Sequence, residues 1–200
     1  MTVALTPPLA PVITSPANAI VTNDATLNLE GTAEAKSEVQ LYLNGAGSGA
    51  LISVDDTGRF ASAVSLVEGS NSITAAAQNR GGMGQQSPPV SVTLDSSVPA
   101  TPTGLIAQAR AGGEVRLVWE ATSDDRTVGF HVYRSTQPFT AVSEATQANS
   151  NLITDNTYID LPPTDGLYYY RVIAVNQVDT PSNLSNQANV TWSNRLIPPS

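Results

Sequence analysis

The sequence feature that most constrains the fold is the stretch Leu161–Asn176, which reads LPPTDGLYYYRVIAVN. A turn containing Pro and Gly comes first, and a strand with alternating side chains follows it. Successive side chains of a strand point to opposite faces of its sheet, so such a strand buries one face and exposes the other. The predicted inward residues are Tyr168, Tyr170, Val172 and Ala174. The predicted outward residues are Tyr169, Arg171 and Ile173.

The same period of two recurs along the whole chain, between turns rich in Gly, Asn and Asp. In the first half, the alternating apolar residues are Leu27, Leu29, Val39, Leu41, Leu43, Phe60, Val64, Leu66, Ile73, Ala75, Ala77, Val90, Val92 and Leu94. In the second half, the further ones are Val115, Leu117, Trp119, Phe130, Val132 and Tyr158. The only helical feature predicted is a turn between Phe139 and Glu144. The chain is therefore predicted to be all-β, as two tandem antiparallel β-sandwiches.

Two hundred residues are enough for two sandwiches of about 100 residues each. The predicted segments are a linker over 1–10, a domain over 11–95, a Pro-containing linker over 96–102, a domain over 103–193 and a linker over 194–200. The chain has no cysteine, so its stability must come from apolar packing and strand hydrogen bonds. Both ends are rich in Pro, and we expect a fragment of a longer protein.

The charge balance excludes some partners, because nine Lys and Arg residues stand against seventeen Asp and Glu residues. Nucleic acid is not an expected partner, since binding to phosphates needs clustered cations and here the arginines are scattered. No run approaches the roughly eighteen apolar residues of a membrane span, so no membrane insertion is expected. The net charge of −8 favours a soluble, monomeric fragment.

Five motifs of the first half form a set: Pro11–Pro16 (PVITSP), Val39–Gly45 (VQLYLNG), Asp56–Phe60 (DTGRF), Leu66–Ile73 (LVEGSNSI) and Val90–Asp95 (VSVTLD). Together they resemble the bacterial Ig-like domains that are repeated in surface adhesins and in accessory regions of polysaccharide-degrading enzymes. Relatives that bind calcium often carry a turn of the type Asp-x-x-Gly-Asn, in which oxygen ligands converge on the ion. The matching stretch Gln78–Met83 has no carboxylate, so calcium is not expected in this domain. Asp95 at the joint could help a metal to stiffen it, but capping of a turn explains this carboxylate better, and no metal ligand or cofactor is predicted.

The second half contains a further set of motifs: Pro102–Leu105, Val115–Trp119, Gly129–Ser135, Tyr158–Leu161, Gly166–Asn176 and Ser182–Ser185. Over residues 98–192, this set resembles a fibronectin type III domain. The two resemblances imply that both sandwiches are Ig-like. By the second resemblance, Trp119 is a core tryptophan, and Tyr168 is a corner tyrosine whose hydroxyl bonds the backbone near Leu161 or Pro163. Leu161 is expected to be a structural residue of the same corner.

No catalytic constellation is predicted. The only histidine, His131, lies between apolar neighbours on an alternating strand and should point to solvent without a second metal ligand. The carboxylate pairs Asp55/Asp56 and Asp124/Asp125 lie in turn sequences, and turn capping explains them better than acid and base roles in glycoside cleavage.

The candidate binding surface consists of Tyr133, Tyr169, Arg171 and Trp192, predicted to lie outward on neighbouring strands. The leading functional hypothesis is a non-catalytic spacer and interaction segment of a larger extracellular or cell-surface bacterial protein, adhesin-like or fibre-like. Its expected partners are other domains of that protein or another surface protein. The alternative is an accessory region of a secreted polysaccharide-degrading enzyme, which would contact a polysaccharide.

Overall fold

The computed structural model describes residues 6–122 and 124–193, and the chain forms two compact units, Met1–Ser96 and Ser97–Ser200. Each unit encloses a hydrophobic core of its own between two β-sheets. The prediction of an all-β chain with two β-sandwiches is confirmed. Within the described ranges, no helix is long and apolar enough to span a membrane.

Nine strands are described in the first unit. They are β1 (Val12–Ser15), β2 (Ile20–Thr22), β3 (Thr26–Thr32), β4 (Glu38–Leu43), β5 (Ala46–Ser53), β6 (Arg59–Ser65), β7 (Gly69–Asn79), β8 (Gly82–Gln86) and β9 (Val90–Leu94). One sheet has the order β1-β3-β6, and the other has the order β2-β9-β7-β4-β5 with β8 beside β7. The pairs are antiparallel except for the parallel pair of β2 with β9.

The alternating apolar residues of the first half form the core of this unit. Leu29, Val39 and Ile73 are fully buried between the two sheets. The turn between β4 and β5 has positive φ at Asn44 (51°) and at Gly45 (82°). An Asn-Gly pair tolerates this backbone, and it matches the twist of the two strands that it joins. The turn thereby sets the register of the β4–β5 hairpin.

The segment before β1, which the sequence predicts to be a linker, packs against the first sandwich. The side-chain amide of Asn79 donates to the carbonyl of Thr6 over 3.1 Å, and Pro8 is buried. The carbonyl oxygen of Pro8 lies only 2.1 Å from the position that a Cβ on Gly84 would occupy. The close approach is possible because glycine has no side chain. Residues 6–8 therefore lie on β7 and β8 rather than running free.

Seven strands are described in the second unit. They are β10 (Ile106–Arg110), β11 (Glu114–Val118), β12 (Gly129–Ser135), β13 (Thr146–Gln147), β14 (Thr157–Asp160), β15 (Gly166–Val175) and β16 (Ala188–Trp192). The two sheets have the orders β10-β11-β14 and β13-β12-β15-β16. A short 3₁₀ turn at Val142–Glu144 precedes β13, which confirms the predicted turn.

Aromatic side chains dominate the core of the second unit. Trp119 is 1% exposed, and its ring meets the ring of Phe130 in an edge-on arrangement with a centroid distance of 5.3 Å. Tyr168 is also buried, and its hydroxyl donates to the carbonyl of Thr164 over 2.7 Å. The bond closes the corner before β15 one residue beyond Pro163, close to the predicted position.

The structural role predicted for Leu161 is wrong, because this side chain is 67% exposed. Asp160 is buried at 3% exposure, so the alternation of β14 carries the next residue outward. Pro162 is buried and lies beside the corner instead.

The predicted linkers have different surroundings. Ser96 donates from its hydroxyl to a carboxylate oxygen of Glu68 over 2.7 Å in the first unit. Ala100 donates its backbone N–H to Asp124 over 2.9 Å in the second unit. Part of the segment 96–102 is thus bonded to one sandwich or the other. The predicted linker over 194–200 lies outside the described residues.

Candidate functional site

Three members of the predicted binding surface lie on the same outer face of the second unit. In the pairing of β12 with β15, Tyr133 is opposite Arg171, and Tyr169 is opposite Ser135. Tyr133 and Tyr169 are therefore diagonal neighbours across the strand pair, with Arg171 adjacent to both. Both tyrosines are half-buried. Burial raises the pKa of the Tyr133 phenol above its usual value.

The guanidinium of Arg171 is engaged by its own sandwich. Its Nε donates to the carbonyl of Phe139 over 2.9 Å, and its Nη1 donates to the carbonyl of Ser185 over 2.6 Å. The same guanidinium lies 5.9 Å from the centroid of the Phe139 ring, which is itself buried. Arg171 thus fastens the segment after β12 and the segment before β16 to the sheet.

The prediction that Trp192 belongs to an exposed surface is wrong. Trp192 is 5% exposed and packs edge-on against Tyr168 with a centroid distance of 6.5 Å. The last residue of β16 falls on the inward phase of that strand, where the corner tyrosine covers it. The prediction that Ile173 faces outward to solvent is wrong too, since this side chain is buried at 5% exposure.

The polar residues considered for chemistry have structural partners. Nδ1 of His131 lies 3.1 Å from the side-chain nitrogen of Gln147 and 3.1 Å from that of Asn149, which is hydrogen-bond distance from both amides. Oδ1 of Asp55 accepts from the backbone N–H groups of Thr57 and Arg59, which confirms its turn-capping role. Within 6–122 and 124–193, no three acidic or histidine side chains come together where a metal could bind.

A buried polar network connects the two sheets of the second unit. Nη1 of Arg134 on β12 donates to both carboxylate oxygens of Asp160 on β14, each over 2.7 Å. The hydroxyl of Tyr170 on β15 donates to Oδ2 of the same carboxylate, also over 2.7 Å. The Arg134 guanidinium lies 5.7 Å from the centroid of the Tyr168 ring. Three strands and both sheets therefore meet at one carboxylate.

The surroundings shift the pKa values of two members of this network, Arg134 and Tyr170. Burial alone would lower the pKa of Arg134, but the hydrogen bonds and charge of Asp160 outweigh it and the pKa lies above its usual value. Burial, with the nearby carboxylate, raises the pKa of Tyr170 well above its usual value, so its hydroxyl remains a donor. Asp160 therefore has a permanent cation on one side and a permanent hydroxyl donor on the other.

Beside this network is a pocket of about 460 Å³, which we name the end pocket. Its walls come from the end of β12, the 3₁₀ turn with β13, and the corner before β15. The lining residues are Arg134, Ser135, Thr136, Ser143, Glu144, Ala145, Thr146, Pro163, Thr164 and Tyr168. Small-molecule sites in proteins usually have volumes of about 300–1,000 Å³. The end pocket is within this range and is lined mainly by polar groups.

Sequence reasoning missed the residues that define this pocket. One signal was available, because Arg134 follows Phe130 and Val132 in the inward phase of β12 and is a charged residue at a core position. Such a charge needs a buried partner. Nothing in the sequence identified Asp160 as that partner, or brought Glu144 to the same place, because three separate elements carry these residues.

Comparisons with known proteins agree with the two-sandwich architecture. Residues 7–96 match the family model described as glucodextranase, domain B. A three-domain segment of titin has a TM-score of 0.62 and 17% identity, covering 93% of this chain and 67% of that chain. The FN1-FN3 domains of chicken CNTN1 have a TM-score of 0.60 and 13% identity, and the match covers 95% of this chain and 69% of that chain.

The Clostridium thermocellum CbhA fibronectin(III)-like modules have a TM-score of 0.60 and 16% identity, covering 95% of this chain and 98% of that chain. At these identities, the likeness to solved structures is one of fold. Among curated proteins, no sequence matches the chain. The match over residues 7–96 and the fold of these neighbours agree with the predicted combination of an Ig-like and a fibronectin type III-like sandwich.

Proposed function

We propose that this chain, an Ig-like sandwich followed by a fibronectin type III sandwich, is a non-catalytic spacer and interaction segment of a larger extracellular or cell-surface protein. Domains of these two kinds are generally accessory modules, and a sandwich fold does not by itself imply an activity. The observation that carries the proposal is the presence of two complete hydrophobic cores, one in each unit. Each module can then keep its shape without support from the other.

The internal use of polar groups supports the same proposal. Arg171, Arg134 and Asp160 form hydrogen bonds within the second sandwich. Long antiparallel pairings such as β12 with β15 and β3 with β6 join distant parts of each unit. These pairings resist local opening of the sheets, and a spacer needs that resistance in order to keep its shape.

Single-molecule forced unfolding of the whole chain tests this proposal. Two separate unfolding events are expected, each releasing about 300 Å of chain, because an extended residue spans about 3.5 Å. One event of twice that length would mean that the units depend on each other. A smooth extension without force peaks would mean that neither unit resists load. Either result would contradict the spacer role.

A second candidate function is an accessory region of a polysaccharide-degrading enzyme that contacts the polysaccharide. The match of residues 7–96 to a domain named for glucodextranase favours it, since that name belongs to an enzyme acting on glucodextran. Affinity electrophoresis in gels containing glucodextran, together with pull-down on insoluble glycans, tests it. Retardation or retention of the chain supports this candidate, and free migration with every glycan removes it.

A further inference from the structure

We propose that the end pocket binds a neutral saccharide, with Arg134 as the hydrogen-bond donor and Glu144 as the acceptor. The inference goes beyond the spacer role, which requires no ligand. It deepens the accessory-region candidate by moving the saccharide site from the outer tyrosine face to the end of the second sandwich. The fold holds one donor group and one acceptor group in place beside the same pocket.

The donor side of the pocket is Arg134. Its side chain is 16% exposed, and both of its hydrogen bonds to Asp160 are made by Nη1. Among the described residues, Nε and Nη2 have no hydrogen-bond partner. These two nitrogens form one edge of the planar guanidinium, which can donate two parallel hydrogen bonds. The pair with Asp160 holds that edge in position before any ligand arrives.

The acceptor side of the pocket is Glu144. Its Oε2 accepts from the backbone N–H of Thr140 over 2.7 Å and from that of Ala141 over 3.1 Å. The two N–H groups, with Thr140 first, lower the pKa of this carboxyl, so it is ionised at neutral pH. The hydroxyl of Thr140 also bonds this carboxylate, and Glu144 is exposed. A carboxylate has about four acceptor positions, so it keeps capacity to accept from a ligand.

The charge around the pocket favours a neutral ligand with many hydroxyl groups. Asp160 balances the charge of Arg134, so the carboxylate of Glu144 leaves one uncompensated negative charge and disfavours anions. Hydroxyl side chains of Ser135, Thr136, Ser143 and Thr146 complete the lining. A sugar hydroxyl both donates and accepts, so it can bridge a guanidinium edge and a carboxylate. Of the common small ligands, a saccharide has this chemistry along its whole length.

The test is a titration of the ¹⁵N-labelled whole chain, followed by two-dimensional NMR. The probes are oligosaccharides from glucodextran, cellulose and xylan, with sodium citrate and sodium sulfate as anionic controls. Saturable shift changes are expected for amides of Ser135, Ser143, Glu144 and Thr146 with at least one oligosaccharide. Shifts confined to Tyr133 and Tyr169, shifts with the anions alone, or no shifts with any probe would overturn the proposal.

Two conservative variants locate the binding groups. Glu144→Gln keeps an oxygen for Thr140 and Ala141 but places an amide NH₂ where Oε1 was, and about tenfold weaker binding is expected. Arg134→Lys keeps a positive charge next to Asp160 but removes the planar fork, and a similar loss is expected. The dispersion of the amide spectrum and the melting temperature report whether each variant is folded.

The matched control is the double variant Tyr133→Ala and Tyr169→Ala, which changes the outer face and leaves the pocket unchanged. Its affinity should equal that of the wild-type chain. Full loss of binding in this control, or unchanged affinity in folded Glu144→Gln and Arg134→Lys variants, would contradict the assignment. These outcomes leave the spacer proposal intact, because forced unfolding measures that property separately.

Discussion

At the residue scale, the second sandwich is held together by two kinds of buried contact. Trp119 and Phe130 contribute apolar area that is removed from water. Asp160 contributes a desolvated charge that is stable only because Arg134 and Tyr170 surround it. Apolar contacts stabilise the folded state directly, whereas a buried ion pair mainly makes the loss of either partner costly.

Substitution of Trp119 and Tyr168 separates packing from hydrogen bonding. Trp119→Ala should cost about 3–5 kcal/mol because it leaves a large cavity in the core. Tyr168→Phe should cost only about 1 kcal/mol, since it removes the hydroxyl that bonds Thr164 and keeps the ring. Urea denaturation of the chain measures both losses. Equal losses for the two variants would contradict the assigned roles.

Replacement of Asp160 tests the ion-pair network. Asp160→Ala leaves Arg134 without its counterion and Tyr170 without its acceptor, and a cost of about 3–5 kcal/mol is expected. The triple variant Arg134→Met, Asp160→Leu and Tyr170→Phe removes every polar member together. Its free energy of unfolding should be within about 1 kcal/mol of the wild-type value. A triple variant less stable than Asp160→Ala would show that the network itself stabilises the fold.

At the element scale, the first sandwich includes residues that precede its first strand, because these residues pack on its surface. Residues 6–8 lie against β7 and β8, where Asn79 bonds the carbonyl of Thr6. The contact needs Gly84, because any side chain there would occupy the place of the Pro8 carbonyl. A Pro-rich segment that resembles a linker is therefore part of the folded unit.

Gly84→Ala tests this packing, because its Cβ would clash with the backbone of Pro8. A cost of about 1–3 kcal/mol is expected from overpacking, together with faster proteolytic cleavage before β1. Gly47→Ala is the matched control, since a Cβ there has Gln40 Nε2 as its nearest neighbour at 3.8 Å. A Gly84→Ala variant no less stable than the control would mean that residues 6–8 are not held on the sheet.

At the scale of the whole molecule, each of the two units has its own hydrophobic core and its own turn in which an Asp has a lowered pKa. In the first unit, the backbone N–H of Arg59 and then the hydroxyl of Thr57 lower the pKa of Asp55. In the second unit, the backbone N–H groups of Arg126 and then Ala100 lower the pKa of Asp124. Acidification should therefore weaken both modules.

The lowered pKa values of Asp55 and Asp124 determine the direction in which stability changes with pH. The contribution of each carboxylate is complete above the ordinary value of 3.8 and is lost as the pH falls through the lower pKa of the folded state. Asp55→Asn and Asp124→Asn should thus lower the melting temperature at pH 7. The difference from the wild-type chain should shrink as the pH falls below about 4. Melting curves between pH 7 and pH 2 measure this, and a difference that stays constant would contradict it.

The fold class, the two modules and most of the core follow from the pattern of apolar residues and turns along the sequence. Alternation of apolar residues marks the buried face of a strand because the backbone repeats every two residues. This rule identified Leu29, Val39, Trp119 and Tyr168. It also placed Tyr133 and Tyr169 on one outer face.

Which segment covers each face of a sheet, and which distant side chains meet, depends on how the strands and loops pack in three dimensions. Alternation assigns a side chain to one face of a sheet, but it does not show which neighbouring segment covers that face. For this reason, Trp192 and Ile173 were predicted to be exposed and are buried, while Leu161 is exposed. The end pocket also depends on contacts between distant segments, because Arg134 on β12 and Glu144 before β13 come together only when β13 pairs with β12.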